Sequence, residues 1–175
     1  MTTETQNQIF LEWVENYGAL LWKIARIHAP PGEHADLHQD LLIALWKATA
    51  FYRGQAQPST FIYRLAFNRA LNWRRDRKTY HRRNLSLNEM PVETSHSTSD
   101  TAEQEQRVEE LYAALSELSD SDRSIALMYL EDMSYRDMSA VLGITESNVG
   151  VKVSRMKKRL AAILQRFRTK TEQPE

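Results

Sequence analysis

Apolar residues recur every third or fourth position through most of the chain, the spacing that lines one face of a helix. Residues 8–28 set Ile9, Phe10, Trp13, Val14, Tyr17, Leu20, Leu21 and Ile24 on one broad stripe. The run Ala29-Pro30-Pro31-Gly32 ends that helix, because two prolines and a glycine cannot continue the backbone ladder. Residues 33–49 follow as a second helix with Leu37, Leu41, Leu45 and Ala48 as its buried seam and Leu42 and Trp46 beside it. Asp36, Gln39, Asp40 and Lys47 project from its other faces. A loop over residues 50–58, reading AFYRGQAQP, leads into a third helix over 59–78, where Phe61, Ile62, Leu65, Ala66, Ala70 and Leu71 face a core. The remaining side of that helix carries Tyr63, Arg64, Phe67, Asn68, Asn72, Trp73, Arg74 and Arg75.

Residues 85–101 have no sustained period and hold Pro91 and the stretch TSHSTSDT, the composition of a flexible linker. The helical pattern resumes at Ala102, with Val108, Leu111, Leu115 and Leu118 on one face. Ser119-Asp120-Ser121 breaks it and supplies caps for a helix over 122–130. Ser134 followed by Asp137 has the form of a capping box, opening a short helix with Met138, Val141 and Leu142 on one face. Gly143 suits the left-handed residue that closes it, and Thr145 caps a last helix over 145–170. That helix repeats Val149, Val153, Met156, Leu160, Ile163 and Leu164 along one seam. Two helices joined by so short a turn form a helix-turn-helix. The expected fold is all-α: two small helical domains, residues 1–84 and 104–175, joined by a flexible acidic linker over 85–103.

Charge changes what this pattern implies. The 23 Lys and Arg residues balance the 23 Asp and Glu to a formal net charge of +0, yet the two signs are segregated. Arg64, Arg69, Arg74, Arg75, Arg77, Lys78, Arg82 and Arg83 form one basic block, and a second runs from Lys152 to Lys170. Glu89, Glu93, Asp100, Glu103, Glu105, Glu109 and Glu110 lie between them. A polyanion feels local potential over roughly 8–10 Å at physiological salt, so two basic surfaces on one string suggest two contacts with one nucleic acid. A hydrophobic fraction of 42% suffices for a core, and mean hydropathy of −0.57 makes the surface polar. Without cysteine there is no disulfide or thiolate metal site, which fits a reducing cytoplasm. With no signal-like segment and no apolar run long enough to cross a bilayer, the chain is expected to be cytoplasmic and not membrane-inserted.

Several residues are open to two readings. A basic amphipathic helix is either a DNA-reading element or a solvated surface of a plain bundle; Lys152, Arg155, Lys157, Lys158 and Arg159, following the capped turn, favour DNA. Gly150, costly inside a helix, either admits a base or phosphate at close range or is a tolerated flaw. Arg, aromatic and amide groups interleaved on residues 63–75 suit phosphates, bases and base edges, or else make a ragged core helix with a solvated basic end. Phe51 and Tyr52 beside Arg53 either pin their loop to the core or hold an unstacked base. His34 and His38 have metal-ligand spacing, but no further Cys/His cluster supports a metal. Asp36 and Asp40 lack the phosphate cradle of a nucleic-acid-processing enzyme, so no catalytic role and no cofactor is assigned.

The ordered motifs resemble a known family. Asp36-Leu37-His38-Gln39-Asp40 with Leu41, Leu42 and Trp46 resembles the core-polymerase-binding helix of bacterial sigma factors. Phe51-x-x-Gly54, then Thr60 to Ala66 and Asn68, resembles their promoter-melting segment. Leu118-x-x-x-Asp122-Arg123, Tyr129-Leu130-Glu131, Met133-Ser134-Tyr135 and Leu142-Gly143-Ile144 match their promoter-distal DNA-binding domain. The short two-domain layout is similar to the extracytoplasmic-function (ECF) group of the sigma-70 family.

The resemblance implies a transcription initiation factor that binds core RNA polymerase and directs it to particular promoter DNA. Asp36, Gln39 and Asp40 would meet the polymerase clamp helices. The loop over 50–58 with Tyr63, Asn68 and Asn72 would capture a flipped base of the minus-ten element, aided by Arg53, Arg64, Trp73, Arg74 and Arg75; extrusion costs a few kcal/mol of stacking and pairing. The linker would run through the RNA exit region. Thr145, Asn148, Gly150, Val151, Lys152, Ser154 and Arg155 would meet the minus-thirty-five element, with Lys152, Lys157 and Lys158 on phosphates. An anti-sigma factor is a further partner the resemblance allows. Phe61 stands where the family often has tryptophan and Asn72 where it often has aspartate, and Gly150 and Val151 also depart from the pattern, so the promoter sequence does not carry over. The competing function is a stand-alone helix-turn-helix regulator, which would have no use for the N-terminal half.

Overall fold

The computed structural model describes residues 3–83 and 100–171, and all regular structure among them is helical. Helices α1 (Thr3–His28), α2 (His34–Thr49) and α3 (Pro58–Arg83) pack on one another. A second set is α4 (Asp100–Glu117), α5 (Asp120–Leu130) and α7 (Glu146–Thr171), with α6 (Tyr135–Leu142) preceding α7 in the chain. Most of the expected linker lies outside the described residues, as do the side chains of Lys78, Arg82 and Arg83.

In the N-terminal set the seam of α2 is buried as the spacing predicts, with Leu37, Leu41 and Leu45 at most 1% exposed. Leu21, Ile24 and Ile27 of α1 and Ile62, Ala66 and Ala70 of α3 complete this core. Trp13 ties the α2–α3 loop to α1, its ring 4.9 Å from that of Tyr52 and 5.7 Å from that of Phe61. Tyr52 also donates to the Ala56 carbonyl at 2.6 Å, so it pins the loop, whereas Phe51 is 76% exposed. Helix α1 begins at Thr3, before its apolar stripe: Gln6 donates to the Trp46 carbonyl at 2.9 Å, and Asn7 Oδ1 accepts from Trp46 Nε1.

The C-terminal set is built around side chains that close helix ends. Ser119 caps α5 by accepting from the Asp122 backbone, so α5 starts two residues before its expected first residue. Arg123, 8% exposed, donates to the Ser116 carbonyl, an acceptor that α4 leaves open at its end, and to the Leu115 carbonyl at 3.1 Å, which also accepts from the Leu118 backbone N–H. Asp132 at φ 53 reverses the chain after α5, a conformation in which Asp is one of the few tolerated residues besides glycine.

Candidate nucleic-acid interface

The turn between α6 and α7 is made as its residue types require. Ser134 Oγ accepts from the Asp137 backbone N–H at 3.1 Å and donates to its carboxylate at 2.5 Å, fixing the start of α6. Gly143 has φ +67, the left-handed region, and ends that helix. Thr145 Oγ1 then accepts from the Asn148 backbone and starts α7. The seam Val149, Val153 and Met156 is at most 1% exposed, which turns Asn148, Val151, Ser154, Arg155 and Lys158 outward. Lys152 is half-buried. Lys157 is engaged within the fold, its amine 3.9 Å from the centre of the Tyr129 ring, a cation–π contact.

Gly150 does not sit on the outward face. A Cβ built there would lie 3.6 Å from Tyr135 Cε2, an ordinary contact, and the residue is half-buried. Gly150, Ser154, Lys157 and Lys158 line a cleft of about 340 Å³ with Tyr135 and Val153. The missing side chain of Gly150 leaves room beside Tyr135.

On α3 the structure brings Arg64, Asn68, Asn72 and Arg75 together on an exposed face. Asn72 Oδ1 accepts from Arg75 at 2.5 Å, which orients both. Trp73 is half-buried under the Arg77 guanidinium, 5.2 Å from the ring centre. Arg74 is half-buried too, and desolvation lowers its pKa from the usual arginine value. Tyr63 and Phe67 are corrections: at 6% and 5% exposure they belong to the core, with ring centres 5.7 Å apart. Helix α3 packs on both α1 and α2, so its buried arc is wider than that of a one-sided surface helix. Tyr63 is accordingly not displayed beside Asn68. Arg53, in the loop, is exposed.

On α2, Asp36 and Gln39 are exposed, but Asp40 is paired with Arg69 of α3. Sequence spacing gave no signal of this cross-helix pair, because it joins residues 29 positions apart. His38 sits edge-on to Trp22, ring centres 5.1 Å apart, and among the described residues no group of three or more His, Cys, Asp or Glu is placed to hold a metal ion. Nor is any described helix long and apolar enough to cross a membrane.

Comparison with known proteins decides between the families such a fold can serve. Residues 13–80 match the family described as Sigma-70 region 2, and residues 108–160 match Sigma-70, region 4. The chain belongs to the sigma-70 family. As an ECF-group member it is an RNA polymerase sigma factor, a protein that directs transcription initiation at particular promoters. A relative from Bacillus subtilis (strain 168), RNA polymerase sigma factor YlaC, is 25% identical over 122 residues, 69% of this chain and 70% of that one. The fold is similar to that of the sigma factor RpoE from Bartonella quintana, solved with the anti-sigma factor NepR: TM-score 0.67, 18% identity, 90% of this chain and 98% of that one. It is likewise similar to CnrH, solved with the cytosolic domain of CnrY: TM-score 0.63, 20% identity, 91% of this chain and 89% of that one.

Proposed function

We propose that this sigma factor uses three separate faces in initiation. Asp36, Gln39 and Asp40 on α2 dock on core RNA polymerase. The exposed face of α3, with Arg64, Asn68, Asn72 and Arg75, meets the melted minus-ten strand, and Trp73 and Arg74 support it from half-buried positions. Phe51 and Arg53 stand in the adjoining loop, so the exposed ring available to an extruded base is Phe51 rather than Tyr63. Asn148, Val151, Ser154 and Arg155 on α7 read the minus-thirty-five element, with Lys152, Lys157 and Lys158 toward phosphates. Thr145 acts through its cap, and Gly150 through the space beside Tyr135. The observation that carries this reading is the capped start of α7, which turns polar and basic groups outward while its apolar seam is buried.

The protein supplies no catalytic group of its own, works in the cytoplasm, and is held by an anti-sigma partner when not in use. In support of the last point, the RpoE and CnrH structures named above are each of a chain bound to a second protein. The deciding experiment is transcription in vitro from linear genomic fragments, with core polymerase alone or with the purified chain. New start sites with a shared upstream sequence are expected. DNA binding without association with core polymerase would favour the stand-alone regulator.

A further inference from the structure

The two carboxylates of α2 are not equivalent. Asp36 is exposed, whereas the Asp40 side chain is only 25% exposed and gripped by α3. Arg69 Nη2 donates to Asp40 Oδ1 at 2.7 Å, and Arg69 Nε lies 2.6 Å from Oδ2, so both carboxylate oxygens face one guanidinium. That hydrogen bond holds the Arg69 pKa above its usual value, and Asp76 adds a second negative charge nearby. A second pair, Glu33 with Arg77, closes the same α2–α3 seam. Any cationic group approaching Asp40 from outside meets Arg69 already in place. Because the Glu33–Arg77 pair and the apolar seam remain, Arg69 can leave Asp40 without α3 detaching from α2.

We propose that Arg69 is an internal competitor for the polymerase: docking takes Asp40 from Arg69, and the released guanidinium joins Arg64, Asn68, Asn72 and Arg75 on the DNA-facing side of α3. The proposal rests on the reading that Asp40 meets the polymerase. Exchange trades one ion pair for another of the same kind, so its cost is low; a half-exposed pair is worth up to about five-fold in an equilibrium. Arg69 is one helical turn from Asn72, so its long side chain can swing toward the face that Asn72 shares with Asn68. Linkage makes the effect reciprocal, so a phosphate that draws Arg69 away frees Asp40 for polymerase.

The test titrates core polymerase with the full chain and its variants at low salt, with circular dichroism and denaturation checking the fold. Asp40→Asn is expected to bind more weakly and Arg69→Gln about two- to five-fold more tightly, the gain shrinking as salt rises. If Asp40→Asn binds as the natural chain does, the docking reading of Asp40 falls. If Asp40→Asn is weaker while Arg69→Gln is unchanged or weaker, the competition alone is overturned. Arg69→Ala, which also removes the competing cation, substitutes if the glutamine variant fails to fold; binding no tighter than that of the natural chain then overturns it. In the holoenzyme, Arg69→Gln should lower the log–log salt slope of promoter binding by about 0.7, the share of one single-strand phosphate. An unchanged slope removes Arg69 from the DNA.

Discussion

The two helical sets spend their arginines differently. On α3 the cations proposed for DNA and those that hold the fold are interleaved within a few turns: Arg64 faces out, Arg69 is paired to Asp40, Arg75 bonds Asn72, and Arg77 is shared between Glu33 and the Trp73 ring. On α7 they are separated along the helix. Lys152, Arg155 and Lys158 lie in its first half, whereas Arg159 pairs with Asp122 of α5 and Arg166 with Glu117 of α4 at 2.5 Å. The lesson is that, Lys157 on the Tyr129 ring apart, substitutions in the C-terminal set should divide into those that change stability and those that change DNA binding. On α3 a single substitution should move both.

The largest expected effect tests the structural side of that division. Arg123→Ala leaves the Ser116 carbonyl at the end of α4 without its buried donor and takes the second donor from the Leu115 carbonyl, and should cost about 2–3 kcal/mol. Chemical denaturation followed by circular dichroism measures it. A loss within the scatter of surface substitutions would mean that water closes α4 equally well. On the binding side, Arg155→Ala should leave stability within about 0.5 kcal/mol and cost roughly 1–3 kcal/mol of promoter affinity if it reads a base edge. Weakening that is uniform over all DNA would make it a phosphate contact instead.

A smaller pair of substitutions separates two glycines that look alike in the sequence. Gly143→Ala forces a Cβ into the left-handed region and should destabilise by about 1–2 kcal/mol. Gly150→Ala meets only an ordinary contact with Tyr135 and should stabilise α7 by up to about 1 kcal/mol with little change in promoter affinity. A large loss of affinity in Gly150→Ala would instead mean that DNA backs directly onto this residue.

What the sequence made legible follows from which forces are local. Ser134 with Asp137, Gly143 and Thr145 announce the α6–α7 turn because each cap acts within three residues of itself. The α2 seam was equally plain, since one helix face buries against its neighbours. Tyr63 and Phe67 were misplaced because α3 has two neighbours, and periodicity cannot say on which side the second one lies. The Arg69–Asp40 pair and the Tyr135 ring beside Gly150 were invisible for the same reason: both are contacts between residues distant in sequence. The helix-turn-helix was thus readable as a frame, while the availability of individual side chains for DNA or polymerase was not.

The smallest expected effect uses an asymmetry of composition. Every tryptophan (Trp13, Trp22, Trp46 and Trp73) lies in the N-terminal set, and no histidine follows His96. Mild acid therefore titrates imidazoles only in the first part of the chain, and tryptophan fluorescence reports only its first three helices. Burial against Trp22 lowers the His38 pKa from 6.5, so the folded state binds a proton there less readily than the unfolded chain. The contribution of neutral His38 is complete above pH 6.5 and declines as pH falls through that value, levelling off below the folded pKa. Urea titrations followed by tryptophan fluorescence at pH 7.5 and about pH 6 should show this loss, and His38→Gln should flatten part of the slope. If the slope is unchanged in His38→Gln, the acid sensitivity does not come from His38.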